Sequence, residues 1–186
     1  MKILSWDAFI EERTLSSVHT AMSIGVFDGI HLGHRRLFER ALTSDAEETV
    51  VITFRYNPRR FLKPHIFPGD ITTLEQKLTL LDELGIDSVI LIDFSNDFSK
   101  LTGREFLTSI VRSCRLDLLV LGDNFRCGNG GHTSAYDAKD ILSEHGVEVD
   151  IEPPITWKGE TLSSTRIRAA VREGAVEEAN TMLDRN

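Results

Sequence analysis

The sequence has few cysteines and no long apolar segment, and both shortages exclude whole classes of protein. Its 186 residues include two cysteines, Cys114 and Cys127, and neither has a second Cys or His at the spacing of zinc ligands. A disulfide framework and a structural zinc site are not expected, and reduced thiols suit the cytoplasm. No apolar run approaches the roughly 20 residues of a membrane-spanning helix, and no signal-peptide segment is apparent. We predict a cytoplasmic protein without a membrane partner.

Positive charge is also in deficit. The chain carries 21 Lys and Arg against 29 Asp and Glu, which gives a formal net charge of −8. This balance argues against electrostatic binding of nucleic acid, although it leaves room for a local cationic pocket. The chain is long enough for one full hydrophobic core, and we predict a single domain over residues 1–186.

What the chain does contain is a regular alternation of short apolar runs and helical patterns. The runs predict strands buried on both faces of a parallel sheet: Ala21–Val26, Thr49–Phe54, Ser88–Phe94, Leu116–Gly122 and Val147–Ile151. Between them, apolar residues recur at helical spacing in 74–84, 102–112 and 134–145. Alternation of this kind predicts an α/β fold, a Rossmann-like parallel sheet flanked by helices, which binds ligands at the carboxyl ends of its strands.

The most informative stretch is His31-Leu32-Gly33-His34, which lies where the first of these strands leads into a helix. The first turn of a helix has unpaired N–H groups and a partial positive charge, so it attracts phosphate. Two imidazoles at that point strengthen the effect, either as neutral donors or as cations. Neighbouring glycines at 25, 29 and 33 let a phosphate approach the backbone. The pattern predicts a site that binds a nucleotide phosphate and stabilises charge developing on it.

The same residues carry a resemblance to a known family. The segment Gly25–His34 resembles the G-x-F-D-G-x-H-x-G-H signature of the adenylyltransferase module of bacterial FAD synthetases. H-x-G-H alone marks a wider superfamily of nucleotidyltransferases. Further motifs of the FAD synthetase family are resembled, in the expected order, by Thr53–Pro58, Leu121–Gly128 and Leu162–Arg168.

The resemblance implies which residues bind ATP and act in catalysis. His31 and His34 would contact the α- and β-phosphates, and Arg168 would neutralise the leaving pyrophosphate. The implied ATP site comprises Gly25, Val26, Phe27, Asp28, Gly29, His31, His34, Gly122, Asp123, Ser163, Ser164, Thr165 and Arg168. Mg²⁺ would arrive on the ATP phosphates and keep most of its waters, so no protein ligand to the metal is assigned.

The resemblance also implies an FMN site. Its residues would be Phe54, Asn57, Pro58, Asn124, Phe125 and Arg126. Here the sequence departs from the family, because Tyr56-Asn57 replaces Pro-His and Cys127 replaces the usual Phe. Asn57 can donate a hydrogen bond but cannot carry charge. Cys127 weakens the expectation of aromatic packing on the flavin at that position.

Arg166 and Arg168 stand in the first turn of a helix predicted to begin after Ser163. An exposed cation there opposes the helix dipole by about 0.3–1 kcal/mol. We therefore expect an anion from outside the protein to complete this site. On the same argument, replacing Arg168 by Ala should change the stability of the free protein little. Arg166 falls at a variable position of the family motif and is expected to be solvent-exposed.

Together these motifs are similar to those of an FMN adenylyltransferase, which transfers AMP from ATP to FMN and releases pyrophosphate. FMN is already an anion and needs no general base, so catalysis should rest on positioning and charge stabilisation. Two alternatives stay open. One is another nucleotidyltransferase of the superfamily, acting on nicotinamide mononucleotide or phosphopantetheine or forming a CDP-alcohol. The other is a non-catalytic module that binds a flavin or nucleotide.

The riboflavin kinase module of bifunctional FAD synthetases is not expected within residues 1–186. The chain is either naturally monofunctional or an excised domain, and its closing residues, which lack the family's usual L-G-R-P-Y linker, slightly favour the first. The sequence makes no prediction of oligomeric state.

Overall fold

A computed structural model describes residues 1–95 and 97–185. Its strands are β1 Lys2–Ser5, β2 Leu15–Ile24, β3 Glu48–Phe54, β4 Ser88–Ile92, β5 Cys114–Gly122, β6 Arg126–Cys127, β7 Thr133–Ser134, β8 Glu148–Glu152, β9 Thr156–Trp157 and β10 Glu160–Thr161. Its α-helices are α1 Trp6–Glu12, α2 Leu32–Leu42, α3 Pro58–Leu62, α4 Leu74–Glu83, α5 Gly103–Ser113, α6 Ala135–Ser143, α7 Ser164–Arg172 and α8 Val176–Leu183. Short 3₁₀ turns lie at Pro64–Ile66, Phe98–Lys100 and Asn129–Gly131.

The centre of the molecule is a parallel sheet with the strand order β1-β4-β3-β2-β5-β8. The predicted parallel α/β architecture is confirmed, and each strand predicted from an apolar run is present. Strand β2 begins at Leu15, earlier than predicted. The sequence did not indicate its first half because that half is polar and contains no apolar run. This half pairs irregularly with β5. Strand β1 was not predicted. It is short, largely exposed and pairs only with β4 at the edge of the sheet.

The order of the strands creates a crevice. From β2 the chain adds β3 and β4 on one side, and it later adds β5 and β8 on the other. The direction therefore reverses between β2 and β5, and the loops that leave their carboxyl ends part from each other. In open α/β sheets, ligands bind at such a switch point. The predicted phosphate-binding turn follows β2, and the loop with Gly122 follows β5.

Helices cover both faces of the sheet. Buried side chains of α1, α5 and α6 pack on one face, and those of α2 and α4 pack on the other. A third cluster joins α7 to α8, and Leu32 and Ile71 pack against it beside the phosphate-binding turn. Within the described residues, no helix is long and apolar enough to cross a membrane. The cytoplasmic location stays a prediction.

The segment 59–71, which we call the flap, contains most of α3 and a 3₁₀ turn. Its large apolar side chains Phe61, Leu62 and Ile66 are exposed. Residues 157–160 form the tip of the β9–β10 hairpin.

Candidate active site

A crevice of about 840 Å³ lies at the carboxyl ends of β2, β3 and β5. The predicted site residues that line it are Gly25, Val26, Phe27, Asp28, His31, His34, Phe54, Asn57, Pro58, Gly122, Asp123, Asn124, Phe125, Arg126, Ser163, Ser164, Thr165 and Arg168. Gly29 is the exception. It lies behind the turn, where its N–H donates to Thr72 Oγ1 over 3.2 Å. A Cβ at this position would meet Ile71 and Leu183.

The crevice has two unlike sides. We call residues 25–34 and 163–168 the phosphate side, and residues 54–59, 94, 98 and 124–127 the flavin side. The first takes its name from the helix starts and basic groups, and the second from the substrate that the family resemblance implies.

His31 and His34 lie side by side on the phosphate side. Their rings are stacked with centroids 3.6 Å apart. Nδ1 of His31 accepts the backbone N–H of His34 over 3.3 Å and so caps α2. The neutral His31 ring therefore carries its proton on Nε2 and can donate it to an anion. Nδ1 of His34 is buried and has no hydrogen-bond partner within residues 1–95 and 97–185.

Both histidines are neutral near pH 7 in the free protein. Burial lowers the pKa of His31 to about 4, and the nearby charge of Arg185 acts in the same direction. Burial also lowers the pKa of His34 well below its usual value, and His31 and Lys77 add to that shift. The sequence allowed either neutral donors or cations, and the structure favours neutral donors. A bound phosphate would raise both pKa values, because its negative charge stabilises an imidazolium.

The turn that precedes these histidines is strained. Phe27, Gly29 and Ile30 have φ values of 50°, 85° and 40°. Bulky and β-branched residues rarely adopt this left-handed region, and each such residue costs about 1–3 kcal/mol. Gly25 allows the ring of Phe27 to fold back, since a Cβ at Gly25 would lie 2.8 Å from that ring. The turn therefore depends on support from the rest of the fold.

Donors from distant elements supply that support. The carbonyl oxygen of Val26 accepts a hydrogen bond from Lys77 of α4, and that of Asp28 accepts one from Ser164 of α7. The carbonyl oxygens of Gly29 and Ile30 both accept from Arg185, which follows α8. Lys77 and Arg185 are absent from the lining of the crevice in the described chain, so both hold the turn from behind. The strained conformation is thus fixed by contacts that a substrate does not have to make.

Asp28 forms an ion pair with Arg168. Oδ2 of Asp28 contacts the guanidinium, and Oδ1 accepts the backbone N–H groups of Ile71 and Thr72 over 2.8 and 3.2 Å. The side chains of Asp28 and Arg168 are only 5% and 11% exposed. Nε of Arg168 also donates to the carbonyl of Gly69 over 2.9 Å. In the free protein Arg168 is thus already paired with a carboxylate from 140 positions earlier, and the binding of an external anion there stays a prediction.

The expectation that Arg166 is solvent-exposed is wrong, because its side chain is only 21% exposed. It donates to the carbonyl groups of Trp157 and Glu160 over 2.7 and 3.0 Å, and its guanidinium lies 5.0 Å from the centre of the Trp157 ring. These contacts join the β9–β10 hairpin to α7. Ser163 caps α7 as predicted, by accepting the N–H of Arg166 over 3.3 Å.

The flavin side is apolar and aromatic. Besides the predicted Phe54 and Phe125, it includes Phe94 and Phe98, and the lining extends to Phe106. Phe98 makes tilted or edge contacts with Phe54, Phe94 and Phe106, at centroid distances of 6.3, 6.0 and 5.7 Å. Aromatic rings from several segments of the chain thus contribute to the flavin side.

Asn57 has a structural function at the edge of this side. Its side chain is buried, and Oδ1 accepts the N–H of Arg59 over 3.1 Å, which caps α3. Arg59 itself lines the crevice. The amide thus serves the short helix at the start of the flap.

Comparison with known proteins agrees with this arrangement. The sequence model of the FAD synthetase family matches residues 14–166, which is most of the chain. The chain belongs to the FAD synthetase family. The resemblance drawn from the motifs is thereby confirmed, and the match includes the turn with His31 and His34, the loop after β5 and the start of α7.

Curated relatives of this FAD synthetase family member include enzymes with one and with two named activities. The bifunctional riboflavin kinase/FMN adenylyltransferase of Buchnera aphidicola subsp. Schizaphis graminum is 30% identical over 90% of this chain and 55% of its own length. The FAD synthetase of Listeria monocytogenes is 29% identical over 87% of this chain and 67% of its own length. The chain thus spans little more than half of the bifunctional relatives that it matches.

A solved structure of a macrolide-efflux protein from Streptococcus pneumoniae is also similar. It superposes with a TM-score of 0.85 and 29% sequence identity, over all of this chain and 60% of that one.

Sequence reasoning missed Lys77, which supports this site from behind. Lys77 is 6% exposed, and Nζ donates to the carbonyl groups of Val26 and Phe54 and to Thr53 Oγ1 over 3.0, 3.1 and 3.2 Å. It thereby joins the carboxyl ends of β2 and β3. Burial lowers the pKa of Lys77 to about 8, against the opposing effect of Asp28 and Asp70. One signal was available: position 77 falls on the apolar stripe of α4, where a cation is unexpected.

The loop after β5 is also anchored by residues that the sequence did not identify. Gly128 contacts Gly103 at the start of α5 so closely that a Cβ at position 128 would lie 2.4 Å from the Gly103 nitrogen. At the other end of this loop, Tyr136 donates from its hydroxyl to Asp123 Oδ1 over 2.9 Å. Both contacts hold in position the loop that carries Asn124 and Phe125.

Proposed function

We propose that this chain is an FMN adenylyltransferase. A phosphate oxygen of FMN attacks the α-phosphorus of ATP, the bond from that phosphorus to the bridging oxygen breaks, and pyrophosphate leaves with the bond electrons. One observation carries the proposal: a single crevice has two neutral, stacked histidines at a helix start on one side and an aromatic surface on the other. This pairing suits a reaction between a nucleotide phosphate and a flavin.

In this proposal His31 and His34 stabilise charge on the α- and β-phosphates. A neutral imidazole at a helix start can donate a hydrogen bond to a phosphate oxygen, and no proton transfer from the ring is required. Arg168, held by Asp28, would bind the pyrophosphate with Ser164 and Thr165. Because FMN brings its own negative charge, no side chain is assigned as general base.

The ATP site would further include Gly25, Val26, Phe27, Asp28, Gly122, Asp123 and Ser163, and the flavin site Phe54, Asn57, Pro58, Asn124, Phe125 and Arg126. For Asp28 the contribution is indirect, because both carboxylate oxygens already contact other protein groups. Gly29 would act through the shape of the turn.

Mg²⁺ would enter with ATP. The described residues contain no group of three or more His, Cys, Asp or Glu side chains arranged to hold a metal ion. A cation bound to the triphosphate needs no such group, because Mg²⁺ commonly keeps several waters and takes substrate phosphates as ligands. The protein would then position the nucleotide while the ion neutralises part of its charge.

The single domain predicted over 1–186 is also part of the proposal. Support comes from the two main core clusters, which lie on opposite faces of one sheet. We further propose that this domain works in the cytoplasm, a compartment in which the thiols of Cys114 and Cys127 would stay reduced.

The test offers purified protein Mg-ATP with one acceptor at a time: FMN, nicotinamide mononucleotide or phosphopantetheine. FAD and pyrophosphate should form in equal amounts with FMN alone. Pyrophosphate formed only with another acceptor would favour a different nucleotidyltransferase. Flavin binding without FAD formation would favour a non-catalytic module. Riboflavin with Mg-ATP should yield no FMN. Phosphorylation of riboflavin by this chain would contradict the prediction that residues 1–186 contain no riboflavin kinase module.

A further inference from the structure

The side chain of Arg185, which follows α8, fastens the end of that helix to the phosphate-binding turn. The guanidinium of Arg185 donates to the carbonyl groups of Ile30 and Leu183 over 3.2 and 3.3 Å, and it also donates to the carbonyl of Gly29. Gly29 lies 156 positions earlier in the chain. The backbone of Arg185 is itself fixed, because its N–H donates to the carbonyl of Asn180 in α8 over 3.2 Å.

The two carbonyl groups that Arg185 binds lie at the most demanding point of the turn. Gly29 and Ile30 both have positive φ, and the residue that follows is His31. A small rotation at Gly29 or Ile30 would move the His31 imidazole relative to the nucleotide. A planar guanidinium presents its donors in a rigid fork, whereas an ammonium group is a point charge on a flexible stem.

Within residues 1–95 and 97–185, no carboxylate forms an ion pair with this guanidinium. The nearest acid in sequence, Asp184, is turned to Arg35, with Oδ2 and the Arg35 NH1 nitrogen 3.2 Å apart. The hydrogen bonds of Arg185 described above go to carbonyl oxygens alone. The donors of this guanidinium are therefore directed to backbone carbonyl groups, two of which belong to the turn.

We propose that Arg185 is a positioning residue for the adenylyl transfer: it fixes the backbone at Gly29 and Ile30 so that His31 meets the nucleotide phosphate. The inference rests on the proposed function. Arg185 does not line the crevice and is not assigned a contact with substrate. Its effect passes through His31, so it should appear in kcat more than in the KM for ATP, which also depends on the loop after β5 and the start of α7.

The test compares R185Q, R185K and a control, E178Q. Glu178 also ties α8 to the body of the domain, through an exposed ion pair of 2.7 Å with Lys158, but it has no contact with the turn. All assays are run well below the lowest melting temperature, so that a loss of stability does not count as a loss of activity. R185K keeps a cation that can reach one carbonyl, and it should recover part of the rate lost in R185Q.

We expect R185Q to lower kcat for FAD formation by roughly 10- to 100-fold, the scale of a displacement of about 1 Å in a reacting geometry. The KM for ATP should change by less than about threefold on the same argument, and E178Q should keep the wild-type kcat. Hydrogen exchange of residues 27–34 should quicken in R185Q and not in E178Q.

Several results would overturn the inference. One is a wild-type kcat in folded R185Q, with or without faster exchange. Another is an equal loss of kcat in E178Q, which would show that the contact only anchors α8. A third is unchanged exchange of residues 27–34 in R185Q. Failure of the wild-type chain to form FAD would instead overturn the proposed function, and it would be seen before any variant is compared.

Discussion

The phosphate side and the flavin side of the crevice are built by different means. On the phosphate side, the turn before His31 is held by Lys77, Ser164 and Arg185, from three remote elements. On the flavin side, aromatic rings pack against one another beside a flap whose apolar side chains are exposed. Stabilising a developing charge requires donors fixed to within a fraction of an ångström, whereas burying an apolar ring requires mainly area.

This difference explains where the sequence departs from its family. Tyr56-Asn57 and Cys127 all lie on or beside the flavin side, while the signature from Gly25 to His34 is intact. An apolar surface tolerates the replacement of one member when other rings, here Phe54, Phe94 and Phe98, contribute to it. A network of buried hydrogen bonds cannot lose one member without leaving its partner unsatisfied.

The largest expected effect is at the ion pair of the phosphate side. R168A leaves the Asp28 carboxylate buried without its cation, so the free energy of unfolding should fall by about 3–5 kcal/mol, and FAD formation should be lost. This reverses the expectation from the helix dipole alone. Urea denaturation of the free protein measures it, with the exposed Arg172 of the last turn of α7 replaced by Ala as a control. An R168A protein as stable as R172A would show that the pair contributes nothing.

Next come the paired histidines. H31A and H34A should each lower kcat by about 10²–10³, the usual effect of removing one donor to a transition-state oxyanion. The KM for FMN should change little, because neither ring belongs to the flavin side. Steady-state kinetics with both substrates varied separates the two quantities. Near-normal kcat in both variants would remove the phosphate side from the mechanism.

Acid should weaken the phosphate side in particular. The pKa of His31 is lowered to about 4 in the folded chain from 6.5. Below pH 6.5 the unfolded chain takes up a proton that the folded chain does not, so stability is lost as the pH falls towards 4. The contribution of His31 is about 3 kcal/mol. Thermal melting from pH 7 to 4 should show a steeper loss in wild type than in H31A, whereas H65A, altered at an exposed histidine, should follow wild type.

The smallest expected effect is on the flavin side. N57A removes the cap of α3, worth about 0.5–2 kcal/mol, and should raise the KM for FMN about threefold to tenfold while kcat stays near wild type. N57S retains an oxygen that can cap the helix and should restore the KM. If N57S were as poor as N57A, the amide would have to contact the flavin directly, and the two sides would be more alike than the geometry indicates.

The buried strands of the sheet could be predicted because each is a short apolar run. Such a run can be identified in the sequence without knowing which strand it pairs with. The sequence did not indicate β1 or the first half of β2, whose side chains are mostly exposed or polar. The crevice could be predicted from the carboxyl ends of strands, which is a rule of topology. The ion pair of Asp28 with Arg168 could not be predicted, because 140 residues separate the partners. Taken alone, Asp28 resembles a turn residue and Arg168 resembles a phosphate ligand.

The distance in sequence between the turn and its supports has a consequence for the order in which the chain acquires its shape during synthesis. Residues 26–30 leave the ribosome early, but Arg185 follows Gly29 by 156 positions. At about 5–20 residues per second, that interval is roughly 8–30 s. For that time the backbone at Gly29 and Ile30 lacks the donor that holds its carbonyl groups in the folded protein. The nascent chain can therefore assemble most of its sheet before the turn gains this support.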